Sequence, residues 1–235
     1  MCDHTTINSG ATLADLASNW AGASRVFQRH DLDFCCQGKR TLADACRERR
    51  MPVDDLIAEL RAELVPFAQT DNWLDRPLVQ LITHVVDHFH RGHREELPRL
   101  IAMAAKVERV HAGKPGCPSG LAAHLQDVAH DLEHHMQKEE AVLFPMIVAG
   151  AGTRAWAAVQ CLTAEHDEHG RALARMRELA HGYVPPDHAC GTWRALYLGL
   201  EELEREVMEH VHLENHVLFP RALHHGHDVR STRST

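Results

Sequence analysis

Apolar residues recur along this chain at helical spacing, and polar residues break the stripes in only a few places. Leu78, Ile82, Val86, Phe89, Leu97, Leu100, Ala104 and Val107 mark one amphipathic helix over about 76–111. Asp75 stands where a cap would, Pro77 falls in the first turn, and Pro98 is expected to kink or interrupt the helix. Leu121, Leu125, Val128, Leu132 and Leu143 mark a second helix over about 120–149. Trp156, Val159, Leu162, Leu173 and Met176 mark a third over about 153–181. Trp193, Leu196, Leu200, Leu203, Val207 and Leu218 mark a fourth over about 192–223. No segment reads convincingly as a strand. Four long amphipathic helices with short to moderate loops predict an all-α, up-down-up-down bundle.

Ahead of the bundle the pattern changes to short helices between turn signals. Leu13, Leu16 and Trp20 fall on one face of Ala11–Trp20, and Ser24–His30 is a second short helix. The loop DLDFCCQGK follows, and Thr41 caps the segment LADACRERR. Pro52 opens a further helix with Leu56, Leu60 and Leu64 at four-residue spacing. The expected organisation is a small helical domain over 1–64, a linker over 65–77, the bundle over 78–225 and a tail over 226–235.

The interruptions of the stripes carry the chemistry. In the second helix the inward positions run 125, 128, 132, 135, 139, 143, which turns His135 and Glu139 inward. In the fourth they run 200, 203, 207, 210, 214, 218, which does the same for His210 and Glu214. His90 and His93 face inward from the first helix, and His166 and His169 from the third. The two hairpins repeat one another: HHMQKEEAVLFPMI at 134–147 matches the segment from Glu209, and His90-x-x-His93 matches His166-x-x-His169. An unpaired ionised carboxylate costs several kcal/mol or more to bury, so two inward glutamates, each a turn from an inward histidine, call for a cation. Residues at i and i+4 stand roughly 5–6 Å apart at Cβ, close enough to reach one metal or an adjacent pair. Imidazole plus carboxylate, with no inward thiolate, favours iron, manganese or zinc over a purely structural zinc site. Two His-x-x-x-Glu pairs and one histidine from each remaining helix make four His and two Glu, a set suited to two carboxylate-bridged irons. His90 and His166 are the preferred ligands; His93 and His169 replace or support them. Glu140 is expected to point away into solvent.

Composition sharpens this picture. The chain has 235 residues and 21 histidines, with 25 basic and 33 acidic side chains for a net charge of −8. An acidic chain with no basic patch is a poor nucleic-acid binder. The start has no basic n-region or long apolar run, and no span of 18 apolar residues occurs, so neither a secretory signal nor a membrane helix is expected. Seven scattered cysteines without CxxC spacing suit a reduced cytosol. The adjacent pair Cys35–Cys36 could bridge internally only through a strained ring, which leaves redox sensing, transient metal contact, nitrosation or plain packing.

The sequence resembles the iron–sulfur cluster repair di-iron proteins, whose C-terminal domain is hemerythrin-like. The resemblance covers about residues 10–223. It is carried by LDFCCQGKRTLADAC at 32–46, HREELPRLI at 93–101, KVERVHAGKP at 106–115, HMQKEEAVLFPMI at 135–147, EHDEHG at 165–170 and HVHLENHVLFPRAL at 210–223. It implies metal ligation by His90, His135, His166 and His210 with Glu139 and Glu214 bridging, which is the preferred set read from the stripes. It implies two non-haem irons with oxo and carboxylate bridges. Cys35 and Cys36 match the family's adjacent cysteines, the candidate redox groups. Oxygen-carrying hemerythrins resemble the chain less closely, since their extra histidine would fall on Gly170.

The resemblance implies repair of iron–sulfur clusters damaged by nitric oxide or oxidants, through iron donation or redox chemistry. The alternative is a cytoplasmic di-iron protein that binds or scavenges nitric oxide, or reduces it if supplied with electrons. A ferritin-like oxidase fits less well, because His-x-x-x-Glu replaces the Glu-x-x-His of that class. Expected partners are damaged iron–sulfur proteins or nitric oxide, with no nucleic acid and no membrane; a homodimer stays open.

Overall fold

The computed structural model of this chain describes residues 6–66 and 72–224. Part of the expected linker (67–71), the whole of the expected tail, and Cys2 lie outside the described residues. The described residues form two compact units. One takes the chain up to Ile82 together with Gly150–Thr153 and the described residues from Met208 onward; the other takes Thr83–Ala149 and Arg154–Val207.

The first unit opens with four short helices: α1 Leu13–Asn19, α2 Ala23–Arg29, α3 Leu42–Glu48 and α4 Val53–Glu63. Thr12 and Thr41 cap α1 and α3, each hydroxyl accepting from the backbone N–H three residues on at 3.1 Å. Such a cap is worth about 1 kcal/mol to a helix this short. Leu16, Phe27, Phe34, Leu42, Leu56 and Leu60 form the core, with Met208 packed against it. A two-residue antiparallel ladder joins β1 Trp20–Ala21 to β2 Val65–Pro66. Two residues are too few to show a period of two, which is why the sequence pattern carries no sign of it.

The second unit holds most of the four long helices. The first runs from α5 Leu78–His84 through a π turn, Val85–His90, into α6 Arg91–Val110. Of the two expectations for Pro98, a kink or an interruption, the second does not hold: α6 continues through it. Leu97, Leu100, Ala104 and Val107 on either side of the proline are all buried, and their packing offsets the lost hydrogen bond. The second helix is α7 Leu121–Lys138, a π turn Glu139–Leu143 and α8 Phe144–Val148. The third is α9 Trp156–Leu179, and the fourth is α10 Gly191–Leu213 with a π turn Glu214–Leu218.

Neighbouring helices are antiparallel, giving the expected up-down-up-down order. Glu108, late in α6, accepts from the Ala122 N–H that opens α7, and Arg94, early in α6, pairs with Glu133 late in α7. His124 and Ala172 join opposite ends of α7 and α9. Arg177 of α9 meets Glu204 of α10, and Glu204 also accepts from the Tyr183 hydroxyl. The close approach of α6 and α10 needs Gly199, where a Cβ would stand 2.7 Å from Leu100. Among the described residues no helix is long and apolar enough to cross a membrane.

Candidate metal centre

All eight inward polar residues expected from the stripes are buried: His90, His93, His135, Glu139, His166, His169, His210 and Glu214. Glu139 and Glu214 are 0% exposed. Each carboxylate opens a π turn, and His90 closes another. A π turn inserts one residue into the α-helical ladder and re-aims the side chains that follow, which is why such turns gather at functional sites. Here the Glu139 carbonyl accepts from the N–H of Phe144, five residues on, and the Glu214 carbonyl from that of Phe219. The next residues, Pro145 and Pro220, carry no N–H and cannot continue an α ladder.

Within the second unit, Glu139 is addressed from two sides. Its Oε2 lies 3.3 Å from Nε2 of His90, and its Oε1 lies 3.3 Å from Nε2 of His135. His166 completes the cluster, its Nε2 3.0 Å from Nε2 of His135. Two nitrogens bound at right angles to one ion, each at about 2.1 Å, stand roughly 3 Å apart, so this spacing suits two ligands of a common metal. The ligand atoms of His135, Glu139 and His166 all lie within 4.8 Å of one another. In the first unit, the C-terminal repeat places Nε2 of His210 3.3 Å from Oε1 of Glu214. The donor set is imidazole and carboxylate with no thiolate, and it fits iron.

Two carboxylates that the sequence reading missed hold the imidazoles in place. Glu140 accepts from Nδ1 of His90 at 2.7 Å and from Arg94 at 2.9 Å. It is half-buried rather than solvated, which corrects the expectation. Its burial opposes ionisation, but the bonds from His90 and Arg94 still hold its carboxyl below the usual range. Glu165 accepts from Nδ1 of His135 at 3.0 Å and pairs with Lys138. Burial again opposes, and Lys138 and His135 again win, leaving its pKa low. A carboxylate on the far nitrogen fixes the ring's tautomer and orientation and makes Nε2 the ligating atom. Glu140 and Glu165 adjoin the inward residues Glu139 and His166 in sequence, a signal that periodicity discards. His169 sits edge-on against the His135 ring at 4.9 Å, and His93 lies beside Phe89. Phe144 stacks on His90 at 5.9 Å and adds an apolar wall.

In the first unit, Cys35 and Cys36 are free thiols with sulfurs 3.6 Å apart. Oδ1 of Asp33 accepts from the backbone N–H groups of Cys35, Cys36 and Gln37, so this carboxylate builds the turn that presents the thiols. The bond with Cys36, burial and the nearby Asp33 charge push the Cys35 thiol well up, and it stays protonated near neutral pH. The Cys35 carbonyl accepts from Asn215 at 3.2 Å and from His216 at 2.8 Å. Both donors belong to the π turn that begins at Glu214. His212 donates toward the Phe34 carbonyl at 3.4 Å and faces the Ser18 hydroxyl at 3.1 Å. Burial and the neighbouring His216 hold it neutral, with a pKa pushed down to about 3.

Residues 81–222 match the hemerythrin HHE cation binding domain, and residues 9–64 match a domain of unknown function, DUF542. The chain is 46% identical over 212 residues to a protein of Pectobacterium carotovorum named iron–sulfur cluster repair protein YtfE, covering 90% of this chain and 96% of that one. Proteins of the same name from two Yersinia pseudotuberculosis strains are 45% identical over the same shares.

Proposed function

Because this chain belongs to the hemerythrin HHE cation-binding family, we propose that it repairs damaged iron–sulfur clusters through a non-haem di-iron centre. Its ligands are His90, His135, His166 and His210, with Glu139 and Glu214 bridging. The observation that carries the reading is the two-sided carboxylate of Glu139, each oxygen facing an imidazole from a different helix. The pair His210–Glu214 repeats the same imidazole–carboxylate chemistry, and one family domain spans both sets. Bound iron would supply redox capacity and a store of metal for transfer. The chain's own residues do the rest. Glu140 and Glu165 hold His90 and His135 in the ligating tautomer, buried His169 packs against the His135 ring with His93 buried as a further supporting group, and Phe144 and Leu143 exclude water. Cys35 and Cys36 are redox groups, and the Cys35 carbonyl accepts from the side chains of Asn215 and His216 in the turn that Glu214 opens. The protein acts in the cytoplasm.

The test is restoration of an oxidant-damaged iron–sulfur enzyme by the purified protein. The iron-loaded chain restores it, and neither the iron-free chain nor Glu139→Ala does. Equal restoration by the iron-free chain would end the reading. Stoichiometric nitrosyl formation without restoration would replace it with nitric oxide binding.

A further inference from the structure

A second chemically distinctive cluster lies within the second unit and outside the ligand set. Cys190 immediately precedes α10, and its carbonyl accepts the helix's first bond, from the Arg194 N–H at 3.1 Å. Its sulfur therefore stands at the N-terminus of a 23-residue helix, where unsatisfied N–H groups and aligned peptide dipoles favour negative charge. Nε2 of His111 lies 3.2 Å from that sulfur. His111 is 4% exposed and packs against the buried ring of Trp193 at 5.0 Å.

The other ring nitrogen settles the tautomer. Nδ1 of His111 is buried with no hydrogen-bond partner. A proton there would be a buried N–H with nothing to donate to, whereas a bare lone pair is better tolerated. The proton belongs on Nε2, aimed at the sulfur. Burial first, then Lys114 and His188, push the His111 pKa down, so the ring stays neutral and its N–H remains a donor. Cys190 is itself partly exposed. Reactive thiols occupy such electropositive, reachable sites.

We propose that Cys190 is a nucleophilic thiol that small hydroperoxides oxidise to a sulfenic acid, with His111 as its positioning residue. The thiol releases its proton to solvent, and the sulfur lone pair attacks one oxygen of hydrogen peroxide. The S–O bond forms as the O–O bond breaks. Hydroxide leaves and takes up a proton, so thiol plus hydrogen peroxide gives sulfenic acid plus water. Sulfur gives up two electrons and the peroxide gains them. This chemistry stands apart from the metal centre and does not rest on the repair function.

The test uses the iron-loaded full chain, hydrogen peroxide and a dimedone-type trap, with labelling of each cysteine followed by peptide mass spectrometry. Cys161 is the internal reference: it is exposed, on the surface of α9, with the Glu165 carboxylate 3.6 Å from its sulfur. Cys190 is expected to label about tenfold faster than Cys161 despite its lower exposure. His111→Ala brings the two rates to within about twofold, since the Nε2–H donor to the sulfur is gone. Iodoacetamide, which needs no metal, gives the same ranking. Faster labelling of Cys161 in the wild-type chain overturns the proposal without any variant. So does an unchanged Cys190 rate in a folded His111→Ala protein.

Discussion

Replacing Glu140 with glutamine removes one negative charge and nothing else of comparable size. Glu140 accepts from Nδ1 of His90 at 2.7 Å and from Arg94 at 2.9 Å. Glutamine keeps a carbonyl acceptor at that distance but gives up the charge that would make His90 a stronger ligand. Loss of such a partner behind a metal-bound histidine weakens metal binding about 10- to 100-fold, or roughly 1.4–2.8 kcal/mol. The fold itself loses little, since the partly exposed bond with Arg94 is worth at most about 1 kcal/mol and Arg94 keeps Glu133. Anaerobic competition for ferrous iron against a chelator measures the first quantity, and denaturant unfolding of the iron-free protein measures the second. Glu133→Gln is the matched control, because it removes a charge from the same arginine without touching His90. Iron affinity within about twofold of wild type in Glu140→Gln, or an equal loss in Glu133→Gln, would refute the reasoning.

Glu139→Ala empties the centre of iron whereas His84→Ala leaves the metal content unchanged, as total metal analysis of the purified variants will show. Gly38→Ala destabilises the chain by at least about 2 kcal/mol in denaturant unfolding, because overpacking carries that cost. The added Cβ would stand 2.4 Å from the Phe34 carbonyl and 2.6 Å from Nε2 of His216. Arg94→Gln has a cost that depends on pH. The Arg94 bond lowers the folded pKa of Glu133, so its stabilisation is complete above the unfolded carboxylate value of about 4.5 and fades as the pH falls through the lower folded value. The measured difference in unfolding free energy between Arg94→Gln and wild type therefore shrinks below that pH; a difference that grew on acidification would contradict the pairing. Pro145→Ala combined with Pro220→Ala restores two backbone donors, lets the π turns relax toward α, and weakens iron retention in the chelator assay.

The inward histidines and glutamates were legible because helix period and burial are tightly linked: a polar residue in register with Leu132 and Leu143 has nowhere else to go. The repeat added strength, since chance does not place His-x-x-x-Glu in two stripes 75 residues apart. Glu140 and Glu165 were not legible, because a flexible carboxylate beside an inward residue can bend back toward it, and periodicity records only where the Cβ points. The π turns were half legible. Pro145 and Pro220 each follow a glutamate by six residues and mark two of them, but Val85–His90 has no such residue. The gathering of residues from Met208 onward with the N-terminal helices was not legible. It rests on Asn215, His216 and His212 donating to the Cys35 and Phe34 carbonyls, and backbone acceptors in a loop have no sequence signature. Of the 21 histidines, fifteen lie outside the six proposed ligands and supporting residues. Their number alone points only to a metal, and the paired glutamates mark the proposed site.

The proposed function requires a pair of irons bridged by Glu139 and Glu214. Iron quantification with Mössbauer spectroscopy of the purified chain tests it most directly. Two irons per chain, magnetically coupled as a bridged pair, are expected, with the coupling lost in Glu139→Ala. One uncoupled iron per chain, or zinc in place of iron, would contradict the claim.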